Sequence, residues 1–137
     1  MKPTDWKLLS LREIEGVISP HVAFLGREIE RKKEALEYLD DVSRLAEYIG
    51  GEVEKLEIGE DWAIKKEVFP GVEILFVYNH ANQELPSSLR VLYSGERIRK
   101  VKGEDLTALT IAFVNHMLRY IREIEPARKL PEICYRV

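Results

Sequence analysis

Cysteine and the side-chain amides are nearly missing from this 137-residue chain: Cys134 is its one cysteine, Gln83 its one glutamine, and Asn79, Asn82 and Asn115 its only asparagines. A single thiol forms no internal bridge, so the fold must stand on its core, which is consistent with a reducing compartment. Histidine is scarce as well. His21, His80 and His116 are not paired at i, i+4, and none stands beside Cys134 or an acidic residue in a zinc-like pattern, which predicts no metal site and no cofactor. No stretch approaches the roughly 18 consecutive apolar residues of a membrane span. The charged, apolar and small-residue regions of a signal peptide are not found at the N-terminus. A cytoplasmic protein without membrane contact is therefore expected. Glycine-rich phosphate loops, nucleophile elbows, CxxC pairs, repeats and linkers are also lacking, which weighs modestly against an enzyme and predicts one domain over 1–137.

What is present is enough apolar material for a core, 45% of residues, with 33% charged and a formal net charge of -3. Such a balance exerts no global pull toward nucleic acid or anionic lipid. The charges are mostly Glu, Lys and Arg, a bias typical of proteins working at high temperature. In this compositional style the whole chain resembles the small uncharacterised proteins encoded by thermophilic archaea. The resemblance carries no motif and assigns no catalytic residue.

Along the chain, Ser10-Leu11-Arg12-Glu13 has capping-box spacing and predicts a short helix from Leu11 to Ile18. Ser19-Pro20 starts the next, which runs to about Ile49 and stops at Gly50-Gly51. Its apolar residues (Val22, Leu25, Ile29, Leu36, Leu39, Val42, Leu45, Ile49) recur every three or four positions, with one interruption at Lys32 and Lys33. The alternating charges from Arg27 to Glu37 read as a solvated face, with Glu28 and Lys32 at i, i+4.

The period then changes to two. A first strand is expected at Val53 to Ile58, and Trp62, Ile64 and Val68 alternate with polar residues before the turn Phe69-Pro70-Gly71-Val72. The return strand, Val72 to Tyr78, is almost continuously apolar, which predicts a central position covered on both faces. Leu89 to Tyr93 follows, and Ser94-Gly95 turns the chain into a further strand at Arg97 to Lys102. A last helix spans about Glu104 to Glu125, with Leu106, Leu109, Phe113, Met117, Tyr120, Ile121 and Ile124 as its inner stripe. Ile111, Val114 and Leu118 widen the apolar surface past one face, so either the first long helix or a second copy of the protein must cover them. The fold class expected is α+β: an antiparallel meander of four or five strands packed against a long N-terminal helix and a C-terminal helix. This order resembles TBP-like and helix-grip domains, a likeness that lends no activity.

Three groups of residues carry possible chemistry. In the loop Asn79 to Glu84, His80 could serve as a general base oriented by Glu84, because imidazole titrates near neutrality and a carboxylate fixes its tautomer. The favoured reading is plainer: these are ordinary polar loop residues ahead of Pro86. Trp62, Phe76, Tyr78, Phe113 and Met117 could line a ligand pocket between sheet and helices, with Trp62, Tyr78, Asn79 and Asn82 the binding candidates. Arg90, Arg97, Arg99, Lys100 and Lys102 form a basic hairpin suited to phosphate or an acidic partner, or to protecting an edge strand from aggregation. His21 and His116 are assigned no role. The excess apolar surface on the last helix makes a non-enzymatic, self-associating module, a homodimer, the first functional expectation. A small-ligand carrier and an enzyme centred on His80 and Glu84 follow, and nucleic-acid contact comes last.

Overall fold

Ser10 accepts a hydrogen bond from the Glu13 N–H at 3.1 Å while the Glu13 carboxylate accepts from the Ser10 N–H at 3.0 Å. This reciprocal cap opens α1, Leu11–Glu15, in a computed structural model that describes residues 7–124, 126 and 128–137. Gly16 ends the helix before Ile18 is reached. Ser19 then accepts from the His21 N–H, and Pro20 takes the first position of α2, Pro20–Lys32.

The expected single helix to Ile49 does not form. At Lys33 the chain tightens into a 3-10 helix, Lys33–Tyr38, leaves helical geometry at Leu39, and restarts as α3, Val42–Ile49. Asp41 caps the restart by accepting the Ser43 N–H at 2.9 Å. The break begins where the apolar period is interrupted. Lys32 and Lys33 are not on a solvated face but buried, 4% and 7% exposed, with their ammonium groups held by Glu28 at 3.1 Å and Glu30 at 2.9 Å. Long stems allow a lysine to bury its carbons in this way while its charge stays paired. Gly50 then closes α3 in the left-handed conformation, φ 74°.

Four strands follow as an antiparallel meander in the order β1-β2-β3-β4: Glu52–Glu54, Trp62–Phe69, Val72–Asn79 and Ser88–Ser94. Two strand expectations are corrected. β1 stops at Glu54 rather than Ile58, because the Glu60 carboxylate gathers the N–H groups of Leu56, Glu57 and Ile58 that a longer strand would have paired. Residues 97–102 are not a fifth strand. There the Arg97 N–H donates to the Gly71 carbonyl at 2.9 Å, Ile98 is only 5% exposed, and Ile98–Lys100 forms a 3-10 turn. The basic segment is thus a loop, and Arg97 and Arg99 do not alternate along a sheet face.

β3 lies centrally and is buried on both faces, as its continuous apolar run implied. Ile74, Phe76 and Tyr78 join the main core under the helices, while Leu75 and Val77 pack with Ala63 on the other face, against Leu8, Leu56 and Leu92. The segment before α1 closes part of the outer edge of β4, where Leu9 and Tyr93 exchange backbone bonds of 2.8 and 2.7 Å.

The last helix, α4, spans Gly103–Ile124; the expected end at Glu125 falls outside the described residues. Its buried stripe is rotated from the one read off the sequence. Leu109, Phe113 and Ile124 are half-buried, whereas Val114 and Leu118 are 2% and 0% exposed, inside the chain's own core. Both α2 and α3 lie against α4. The break between them, where Tyr120 donates to Asp40 at 3.1 Å, lets two segments cover more of α4 than one straight rod would. Val114 and Leu118 therefore need no second copy to bury them; Ile111 is half-buried. No described helix is long and apolar enough to cross a membrane.

Candidate functional site

The end of the sheet where β3 leaves the core gathers most of the polar residues singled out above. Trp62 and Tyr78 are direct partners in the β2–β3 register, so their rings stack, with centroids 5.1 Å apart and planes 26° off parallel. His80, two residues further along the chain, meets the Tyr78 ring edge-on at 5.2 Å. Backbone bonds fix the exit: the His80 N–H donates to Asp61 at 2.6 Å, and the Asn79 amide donates to the Gly59 carbonyl at 2.8 Å.

The carboxylate that holds His80 is Glu37, not Glu84. Glu37 Oε2 lies 3.0 Å from His80 Nδ1, and its other oxygen accepts the Ala81 N–H at 2.7 Å. Partial burial works to raise the Glu37 pKa, but the Ala81 N–H, His80 and the Tyr78 hydroxyl together hold it below the ordinary value. It is a carboxylate at neutral pH. Glu84 only donates its backbone N–H to Asn82, whose side-chain oxygen also accepts from Leu85. Asn82 is thus a turn-former, and neither residue joins the His80 cluster.

An imidazole that donates from Nδ1 to a carboxylate presents the lone pair of Nε2 outward. The His80 side chain is 50% exposed to solvent. Beneath it, the Trp62 indole N–H and the Tyr78 hydroxyl are buried, and neither completes a hydrogen bond of normal geometry. Burial first, and then the nearby Glu37 carboxylate, push the Tyr78 phenol well above its usual pKa and keep it protonated. Beside this cluster a groove of about 310 Å³ opens between β1, the loop after it and the start of α3, lined among others by Val42, Val53, Glu54, Glu57, Asp61 and Trp62.

Of the five residues expected to line an interlayer pocket, only Trp62 borders this groove. Phe76, Tyr78 and Met117 are fully buried in the continuous core, and Phe113 is half-buried under the Lys66 ammonium, 5.6 Å from its ring centre. His21, given no role, pairs with Glu15 at 2.8 Å, and His116 lies tilted against Tyr48 with ring centroids 4.5 Å apart. Among the described residues, no three His, Cys, Asp or Glu side chains are grouped to hold a metal.

The chain is thus an α+β protein with a four-stranded antiparallel meander and an oriented imidazole at one end of it. It belongs to the family described as Domain of unknown function (DUF3786), whose model matches residues 2–116. That match includes Glu37, Trp62, Tyr78 and His80. No curated protein and no solved structure is significantly similar to it.

Proposed function

We propose that the protein is a small-ligand-binding module whose site is the His80 end of the sheet. One observation carries this reading: the half-exposed His80 ring is held through Nδ1 by Glu37 beside a groove walled by Trp62. The ligand is a small molecule that offers a hydroxyl or ammonium donor to Nε2. Should it carry an acidic proton, the same pair would act as a general base, which is the enzyme alternative. An NMR screen of hydroxyl- and amine-bearing fragments tests the proposal. Hits should perturb the His80 ring and be lost in His80→Ala and weakened in Glu37→Gln; hits that leave the ring unmoved overturn it.

A second reading, self-association, has support elsewhere than on α4. Val17, Ile18 and Phe24, within one short stretch, are 66%, 93% and 46% exposed on a surface otherwise rich in charge. A homodimer built there would be converted to monomer by Ile18→Glu. Light scattering that gives a monomer for the unmodified protein at about 100 µM sinks this reading.

A further inference from the structure

The opposite end of the sheet holds a second, independent feature. Ser88 of β4 pairs with Asn79 near His80, whereas Ser94 pairs with Glu73 at the far end, so the loop after β4 lies across the molecule from the proposed ligand site. That loop is firmly built. Gly95 sits backbone to backbone with Gly71, Ile98 is buried, and the Leu9–Tyr93 pairing brings the segment before α1 alongside.

With Ile98 turned inward, Arg97, Arg99, Lys100 and Lys102 are all exposed, as is Lys7 from the neighbouring segment. None of the five forms an ion pair among the described residues, although acidic residues outnumber basic ones in the chain, 24 to 21. Unpaired like charges crowded into one loop repel one another, a local cost that fits a site waiting for an anion. Lys7 and Arg99 also line one recess, near Glu13. The Glu13 carboxyl is held below its ordinary pKa first by the Ser10 N–H, and both cations add to that effect.

Between these groups lies a recess of about 250 Å³ lined by Lys7, Leu9, Gly95, Glu96, Ile98 and Arg99. We propose that this recess binds a small phosphomonoester, with Arg99 and Lys7 on the phosphate, Leu9 and Ile98 beneath the organic part, and Glu96 accepting from its hydroxyls. Arginine offers planar paired donors that match phosphate oxygens, and lysine adds a point charge. A nucleic-acid strand fits less well. Tyr93, the aromatic residue nearest the 97–102 loop in sequence, is fully buried and so offers no stacking face, and the net charge of -3 opposes a long polyanion.

Calorimetric titration of the whole protein with ribose 5-phosphate tests this, with free ribose, inorganic phosphate and a single-stranded RNA of about 20 nucleotides as further arms. The expected result is one saturable site for ribose 5-phosphate, weaker binding of inorganic phosphate and none of ribose. Arg99→Gln and Lys7→Gln should each weaken the site by about tenfold, while His80→Ala leaves it unchanged. Glu13→Gln keeps the helix cap and removes a competing negative charge, so it should tighten binding. Since Arg99 is exposed, its variant should melt like the parent, and the circular dichroism melt checks that. No saturation by about 10 mM, indifference to Arg99→Gln, or RNA binding tighter than the monoester overturns the proposal.

Discussion

Gly95 and Gly71 meet backbone to backbone where the exit from β4 passes the β2–β3 turn, and a Cβ on Gly95 would fall inside the van der Waals shell of the Gly71 carbonyl oxygen. Gly95 also holds φ 115°, a region that side chains disfavour. Gly95→Ala should therefore cost about 2–4 kcal/mol, read as a fall in the denaturant midpoint. At Gly71, φ 78°, the nearest atoms to an added Cβ are flexible side-chain carbons of Arg97 and Glu96 at 3.1 Å. Gly71→Ala should cost less, about 1 kcal/mol, and the reverse ranking would contradict this account of the turn.

Thr110 links the sheet to α4 through one shared hydroxyl. It donates to the Leu106 carbonyl at 2.6 Å, so the Tyr93 hydroxyl, 2.7 Å away, must donate to it. Burial pushes the Tyr93 phenol up to about 12, with Thr110 opposing the shift. Thr110→Val strands the buried Tyr93 hydroxyl and should cost about 1–3 kcal/mol, more than Tyr93→Phe, which removes donor and need together. Equal costs in chemical denaturation would show that the hydroxyl finds another partner.

Acid should loosen the His80 loop through Glu37. A carboxylate whose pKa is lowered in the folded state stabilises that state above its ordinary value of 4.5, and loses the contribution as pH falls through the folded value. Hydrogen exchange of the Ala81 N–H, which Glu37 accepts, should accelerate below about pH 4.5 relative to other loop amides. In Glu37→Gln that acid-induced change should be absent; its persistence would mean that another group holds the loop.

Leu118 and Ile18 separate core from surface. Leu118→Ala empties a fully buried site and should cost about 2–5 kcal/mol without changing the molecular mass in solution. Ile18→Glu, at a position 93% exposed, should change stability by less than about 0.5 kcal/mol. A mass change on Leu118→Ala would reopen α4 as an interface.

Periodicity made the fold class legible. The double apolar burial of β3, the turn at Pro70-Gly71, and the caps at Ser10, Ser19 and Gly50 could all be read locally, because each depends on neighbours within a few residues. The helix break was half visible: Lys32 and Lys33 interrupted the stripe, but whether a lysine interrupts or bends a helix depends on what buries its stem. The basic loop reads as a strand because Ser94-Gly95 looks like a hairpin turn leading into it, and nothing nearby reveals that Ile98 is the inward peg. For the site, His80, Tyr78 and Trp62 stood out by residue type. Glu37 did not, since it meets His80 across 43 residues and looks in sequence like one more charge on a wet helix face.

Leu9 pairs with the last strand to be made, while α1, α2 and α3 all precede the sheet they rest on. On a ribosome the helical half would emerge with its greasy sides unsheltered until β3 and β4 follow. Such distant partnerships slow assembly and prolong the interval in which nascent chains adhere to one another. Clearing that interval falls to the later half of the chain, so a stall in translation just after α3 should leave a product that is captured by chaperones rather than a folded fragment.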